Sequence, residues 1–185
     1  MDNKVVILSF SGRKDGNCAS ISDYIEQFYI RTNVLSYKID NVSFPSCGGC
    51  KYECLKQGAK CPQLTENQRQ IMCAVTEADM VYFIVPNYCG YPCANYFAFN
   101  ERSVGYFNMN RALMEQYMAV KKRFIIISNT ETNFTEAIQQ QTNEKPDILY
   151  LKTRKYQKQS IAGDLMTSEG AKADLQAFLV SEASL

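Results

Sequence analysis

The chain has 185 residues, 46% of them apolar, and its 20 basic and 19 acidic side chains leave a formal net charge of +1. This length supports one substantial hydrophobic core, so one domain is expected over residues 1–185. A net charge near zero offers no bulk attraction to nucleic acid or to an anionic membrane, and neither is expected as a partner.

The sequence contains no histidine. This excludes mechanisms that use imidazole, including serine and cysteine triads, and leaves thiols, carboxylates or a bound cofactor to supply chemistry. The first apolar run, Val5–Leu8, is too short for a signal segment, and no stretch approaches a membrane span. Eight cysteines in a chain with long aliphatic runs suit a reducing cytoplasm better than a disulfide scaffold, so a cytoplasmic location is expected.

Apolar runs that suit strands buried on both faces alternate with stretches of helical spacing. In chain order, the predicted strands are Lys4–Phe10, Asn33–Ile39, Met80–Val85, Phe124–Ser128 and Ile148–Leu151. The predicted helices contain Ile21–Phe28, Leu64–Val75 behind a capping box at Thr65, Cys93–Arg102, Met109–Val120, Asn133–Gln140 and Ser168–Val180. This alternation predicts an α/β fold with a doubly wound parallel sheet.

A polar, glycine-containing loop follows the first strand and leads directly into the first helix. Unpaired N–H groups and the helix dipole favour an anion at such a position. Ser11 and Asn17 offer hydrogen bonds, Arg13 offers positive charge, and Gly12 and Gly16 let the backbone curl around a phosphate. The loop matches neither a Walker loop nor the three-glycine dinucleotide fingerprint.

The segment Ser11–Ala19, read as S-x-R-x-x-G-N-C-A, resembles the phosphate loop of the NADPH-dependent FMN reductase and iron–sulfur flavoprotein family. Gly12 stands where that family usually has proline, and Cys18 replaces a hydroxyl residue. Pro86–Gly90 is similar to the family's Pro-x-Tyr-x-Gly loop, which contacts the isoalloxazine ring, and Phe99–Arg102 is similar to its Phe-x-Asp-Arg helix end.

The resemblance implies a flavodoxin-like three-layer sandwich, with five parallel strands in the order 2-1-3-4-5 and helices on both faces. FMN would bind where the first and third strands adjoin. A third loop, Asn129–Asn133, would complete the pocket. The implied cofactor-binding residues are Ser11, Arg13, Gly16, Asn17, Cys18, Ala19, Pro86, Asn87, Tyr88, Cys89 and Gly90, and the flavin rather than a side chain would carry the catalysis.

A cysteine-rich insert is predicted at about residues 43–62, with the spacing C-x2-C-x3-C-x6-C at Cys47, Cys50, Cys54 and Cys61. Iron–sulfur flavoproteins carry a similar run, usually with one residue fewer between the second and third cysteines. Three interpretations stay open: a [4Fe–4S] cluster, a redox-active or vestigial thiol loop, and a structural zinc site.

These patterns predict an FMN-dependent NAD(P)H oxidoreductase that acts on a small-molecule or protein electron acceptor. Two alternatives are an iron–sulfur flavoprotein that carries electrons and a flavodoxin-like module that has lost its cofactor. The resemblance also implies a homodimer.

Overall fold

A parallel β-sheet forms the centre of the computed structural model, which describes residues 3–30, 32–40, 43–56, 60–129, 135–139, 141–143 and 145–181. Its strands are β1 (Lys4–Ser9), β2 (Asn33–Lys38), β3 (Met80–Tyr88), β4 (Tyr91–Pro92), β5 (Lys121–Ser128) and β6 (Asp147–Lys152). The five long strands pair in parallel in the order β2-β1-β3-β5-β6, and the two-residue β4 pairs antiparallel with β3.

With β4 set aside, the long strands stand in the predicted order 2-1-3-4-5. This is the order of flavodoxin, in which the chain reverses its winding direction between the first and third strands. The predicted flavodoxin-like fold is therefore confirmed. The short antiparallel strand β4 was not predicted, and it makes the sheet six-stranded rather than five-stranded.

All six predicted helices are present, with boundaries shifted by a few residues. They are α1 (Asn17–Phe28), α2 (Glu66–Thr76), α3 (Ala94–Phe107), α4 (Arg111–Ala119), α5 (Thr135–Gln139) and α6 (Glu169–Val180). The predicted capping box is also present: Thr65 accepts the Gln68 backbone N–H, and Gln68 accepts the Thr65 backbone N–H in return.

The sheet has a hydrophobic core on each face because successive strand side chains point in opposite directions. On one face, Val5, Ile7 and Ile84 pack with residues of α1 and α6. On the other face, Leu8 and Phe83 pack with residues of α2, α3, α4 and α5. The result is the three-layer sandwich, and the carboxyl ends of β1 and β3 are left open at one edge.

None of the helices in the described part of the chain has the length and apolar character needed to cross a membrane.

Candidate flavin site

A cleft of about 170 Å³ lies where the loops after β1 and β3 meet. It is lined by Ser11, Arg13, Asn17, Cys18, Pro86, Asn87, Tyr88, Ile127, Ser160 and Ile161. Seven of these residues were predicted as cofactor-binding from the two loops. The other predicted residues, Gly16, Ala19, Cys89 and Gly90, lie next to these lining residues in the chain and do not line the cleft themselves.

The amino end of α1 opens onto this cleft without a side-chain cap. Its N-cap is Gly16, in extended conformation, which has no side chain to accept a hydrogen bond from the first turn. By contrast, the side chains of Thr65, Asn110 and Ser168 cap α2, α4 and α6. The first turn of α1 carries no acidic residue. Its N–H groups and the helix dipole therefore face the loop in a way that suits a phosphate.

The side chains of Arg13 and Asn17 contact a carboxyl-terminal segment of the chain. The Nη1 atom of Arg13 donates to the Ile161 carbonyl at 2.7 Å, and the Nδ2 atom of Asn17 donates to the Ser160 carbonyl at 3.0 Å. Sequence reasoning assigned both side chains to the cofactor. The structure shows their side chains hydrogen-bonded to a carboxyl-terminal segment that had no predicted role, and both residues also line the cleft.

The loop after β3 is a tight β-hairpin. Cys89 and Gly90 both have positive φ angles, 53° and 88°, as a two-residue type I′ turn requires. The Oδ1 atom of Asn87 accepts the Gly90 N–H at 2.9 Å, while its Nδ2 atom donates to Ser128 Oγ at 2.7 Å. These contacts fix the hairpin against β5 and leave Tyr88 63% exposed at the mouth of the cleft.

The two thiols beneath the cleft are buried. Burial, together with a smaller contribution from the neighbouring Cys93, raises the pKa of Cys18 to about 12. Cys93 forms a hydrogen bond from its Sγ atom to the Phe10 carbonyl at 3.2 Å. Neither thiol has the electropositive, accessible surroundings of a nucleophile, so both are packing residues of the site floor.

The third loop predicted around the pocket is described only at its first residue. Asn129 accepts hydrogen bonds at Oδ1 from the Thr153 hydroxyl and from the Ser160 N–H, the latter at 3.1 Å. Residues 130–134 lie outside the described part of the chain. Asn129 therefore forms hydrogen bonds with the same carboxyl-terminal segment that Arg13 and Asn17 contact.

The four cysteines of the insert have different environments. Cys47 is exposed and Cys50 half-buried, whereas Cys54 and Cys61 are buried in a small apolar cluster with Leu64. The backbone N–H of Glu53 lowers the pKa of its own carboxyl most, and the Cys50 thiol, which lies close enough to donate a hydrogen bond to this carboxyl, lowers the pKa further. Among the described residues, no three His, Cys, Asp or Glu side chains are arranged to hold a metal ion.

The end of α3 holds the insert in place. Arg102 is 3% exposed and donates to the carbonyls of Pro45 and Ser46, each at 3.0 Å, and to Gln63 Oε1 at 3.1 Å. Glu101 accepts the Cys47 N–H at 2.7 Å. The helix end that resembled a flavoprotein motif thus contacts the insert rather than the cleft.

No protein-family model and no curated protein matches the sequence. Solved structures do match. Smu.1420 from Streptococcus mutans UA159 superposes with a TM-score of 0.66 at 12% identity, covering 95% of this chain and 98% of that one. A putative quinone reductase from Klebsiella pneumoniae gives 0.57 at 10% identity, covering 98% and 85%. FerB, a flavoenzyme NAD(P)H:(acceptor) oxidoreductase from Paracoccus denitrificans, gives 0.54 at 12% identity, covering 97% and 96%. At such low identity these matches establish one thing: the chain has the flavodoxin-like fold of these proteins.

Proposed function

We propose that the protein is an FMN-dependent oxidoreductase that accepts a hydride from NADH or NADPH and passes electrons to an acceptor. One observation carries the proposal. The sequence predicts that one loop binds the phosphate of FMN and that another contacts its ring. Residues of both loops line the same cleft. That cleft lies at the point of the sheet where flavodoxin-like proteins bind their ligands.

The residues present fit the two ends of FMN. The backbone N–H groups of Asn17, Cys18 and Ala19 at the uncapped start of α1, with the Ser11 hydroxyl, would hold the phosphate. The hairpin at Tyr88–Gly90 would support the ring. Bound FMN would supply the hydride chemistry itself. The absence of histidine is therefore compatible with the activity.

The size of the cleft indicates how such a ligand would be bound. Sites that enclose a whole cofactor usually measure roughly 300–1,000 Å³, whereas this cleft measures about 170 Å³. The cleft would enclose the phosphate and the ribityl chain of FMN and leave the isoalloxazine ring against the exposed Tyr88. An exposed ring is also what a hydride donor and a separate acceptor need in order to reach it in turn.

The solved structures of similar fold support the class of reaction. They include proteins described as a putative quinone reductase, an NAD(P)H:(acceptor) oxidoreductase and an azoreductase. These names concern those proteins, and the shared fold alone does not transfer an activity. The two loops of this chain are what make the same reaction class the best-supported function here.

The test is a titration of the purified protein with FMN and with riboflavin, followed by flavin fluorescence. We expect FMN to bind at least about tenfold more tightly than riboflavin, because only FMN carries the phosphate. Ser11→Ala should weaken FMN and leave riboflavin unchanged. The FMN-loaded protein should then oxidise NADH or NADPH when a quinone is present. A wild-type chain that binds neither flavin would contradict the proposal and favour the cofactor-free module.

The electron-carrier alternative makes a different prediction. Anaerobically purified protein would contain about four iron and four sulfide per chain if the insert held a [4Fe–4S] cluster. We expect neither above background, because among the described residues no three ligating side chains are arranged to hold a metal ion. The homodimer and the cytoplasmic location stay predictions, the first of which light scattering of the flavin-loaded protein would test.

A further inference from the structure

Residues 158–165, here called the strap, cross over the loop that opens α1. We propose that Arg13 and Asn17 are positioning residues that fasten the strap as one wall of the flavin site, and that neither side chain is a phosphate ligand. This inference rests on the proposed flavin site and assigns those two side chains a different role from the one their sequence motif suggests.

The guanidinium of Arg13 donates hydrogen bonds to the strap. Its Nη1 atom lies 2.7 Å from the Ile161 carbonyl oxygen and its Nη2 atom 3.4 Å from the Ser160 carbonyl oxygen. Because the guanidinium is a rigid planar fork, one side chain can span two successive carbonyls in this way, and lysine cannot reproduce it. Both terminal nitrogens of Arg13 are thus directed at the strap.

Asn17 holds the same segment from beneath. Its side chain is 3% exposed, its Nδ2 atom donates to the Ser160 carbonyl at 3.0 Å, and its Oδ1 atom accepts the Leu165 N–H at 2.9 Å. Both ends of the amide are therefore bonded to the strap. Leu165 is fully buried in the core, so Asn17 joins the strap to a rigid part of the fold.

Two further contacts show that the strap is closely fitted to the loop. The Oδ1 atom of Asn129 accepts the Ser160 N–H at 3.1 Å. Gly163 has a φ of +80°, and a β-carbon at this position would lie 2.9 Å from the Asp15 carbonyl oxygen. Only glycine permits both this backbone angle and this approach. The strap therefore packs closely on the loop, and its position depends on its contacts with residues 13–17.

The strap forms part of the cleft. Ser160 and Ile161 line it together with Tyr88, and the apolar Ile161 is 71% exposed in the free protein. Burying that side chain against a bound flavin would stabilise the complex. The isoalloxazine ring and the ribityl chain that would make this contact are common to FMN and riboflavin. Loosening the strap should accordingly weaken both ligands alike.

The experiment compares the affinities of FMN and riboflavin in four variants. Arg13→Ala and Arg13→Lys remove the two-carbonyl contact, the second without removing the charge, while Gly163→Ala displaces the strap without touching any charge. We expect each to raise Kd about tenfold for both flavins and to leave their ratio unchanged within about twofold. Asn17→Ala should do the same. The matched controls are Arg111→Ala on the exposed face of α4 and Gly170→Ala in α6, which should keep wild-type affinities.

A phosphate ligand would give a different pattern. If Arg13→Ala weakened FMN tenfold and left riboflavin unchanged, or if Arg13→Lys restored FMN binding, Arg13 would be a phosphate ligand and the inference would be wrong. Unchanged affinity for both flavins in Arg13→Ala and Gly163→Ala would also overturn it.

Hydrogen exchange of the flavin-free protein tests the strap independently of the proposed function. Arg13→Ala and Gly163→Ala should speed exchange of the Ser160 and Leu165 amides at least about tenfold, with amides of β1 and β3 unchanged. Unaltered exchange at both amides would contradict the fastening role. If the wild-type protein bound no flavin but the two variants still showed this faster exchange, the proposed function would be refuted and the fastening of the strap would be supported.

Discussion

Cys61 lies directly against Gly105 in the last turn of α3, so that a β-carbon on Gly105 would come within 2.8 Å of the Cβ atom of Cys61. This contact presses the buried end of the insert onto the helix that also carries Arg102. It explains why a glycine is present inside a helix, where it is otherwise unfavourable. Cys61 is thus a packing residue at a helix–insert contact.

The first prediction concerns this contact. Gly105→Ala should lower the free energy of unfolding by about 1–3 kcal/mol, because the overpacking outweighs the better helix propensity of alanine. Urea denaturation followed by circular dichroism measures the change. Gly170→Ala, where the nearest atom would be 3.4 Å away, is the matched control and should be neutral or slightly stabilising. Equal effects in the two variants would show that Cys61 moves aside freely.

The second prediction concerns Arg102, which ties the insert to α3. Arg102→Met should lower the free energy of unfolding by about 3 kcal/mol, because three carbonyl or amide oxygens lose a charged donor that is itself almost fully buried. Arg102→Lys should recover little, since an ammonium cannot reach Pro45, Ser46 and Gln63 together. Denaturation curves give the stabilities, and hydrogen exchange should localise the loosening to residues 43–56.

How far the sequence could predict this molecule depends on the kind of contact involved. The five long strands were predictable because runs such as Val81–Val85 are buried on both faces and read as continuous apolar stretches. Strand β4 was not, because two residues carry no periodicity. The contacts of Arg13 were not predictable either, because its partners are backbone carbonyls 147 and 148 residues away, which no side-chain pattern reveals.

The third prediction concerns the hairpin beside the cleft. Gly90→Val should weaken flavin binding about tenfold, because a β-branched residue at a φ of 88° forces the turn open and moves Tyr88. Cys89→Gly keeps the required positive φ and should retain wild-type affinity. Fluorescence titration of both variants measures the effect. Similar affinities in the two would show that the ring does not depend on this turn.

The fourth prediction uses thiol accessibility to test the insert. At pH 8, iodoacetamide should alkylate the exposed Cys47 and Cys89 at least about tenfold faster than the buried Cys18, Cys54 and Cys93. Burial raises the pKa of each of those three thiols, which slows them further. Peptide mass spectrometry assigns the sites. Protection of Cys47 together with Cys50, Cys54 and Cys61 would instead indicate a bound metal centre.

The fifth prediction follows from Lys122, which is 4% exposed at the amino end of β5. Its Nζ atom donates to the carbonyls of Tyr117 and Val120 and lies 4.2 Å from the centre of the Tyr117 ring. Burial nevertheless lowers the pKa of Lys122 to about 7. Between that pH and the ordinary lysine value near 10.4, the unfolded chain binds a proton that the folded chain does not, so stability rises with pH across this window and is flat below it.

Replacing Lys122 should remove that rise. From pH 7 to pH 9 the free energy of unfolding of the wild type should increase by about 1–2 kcal/mol more than that of Lys122→Met, because only the wild type releases this proton on folding. Subtracting one pH profile from the other cancels the contributions of the thiols and tyrosines that also titrate in this range. Lys145→Met removes an exposed lysine from the same edge of the sheet and should keep the wild-type profile. Parallel profiles for the wild type and Lys122→Met would mean that Lys122 stays protonated in the folded state, held by the two carbonyls and the tyrosine ring.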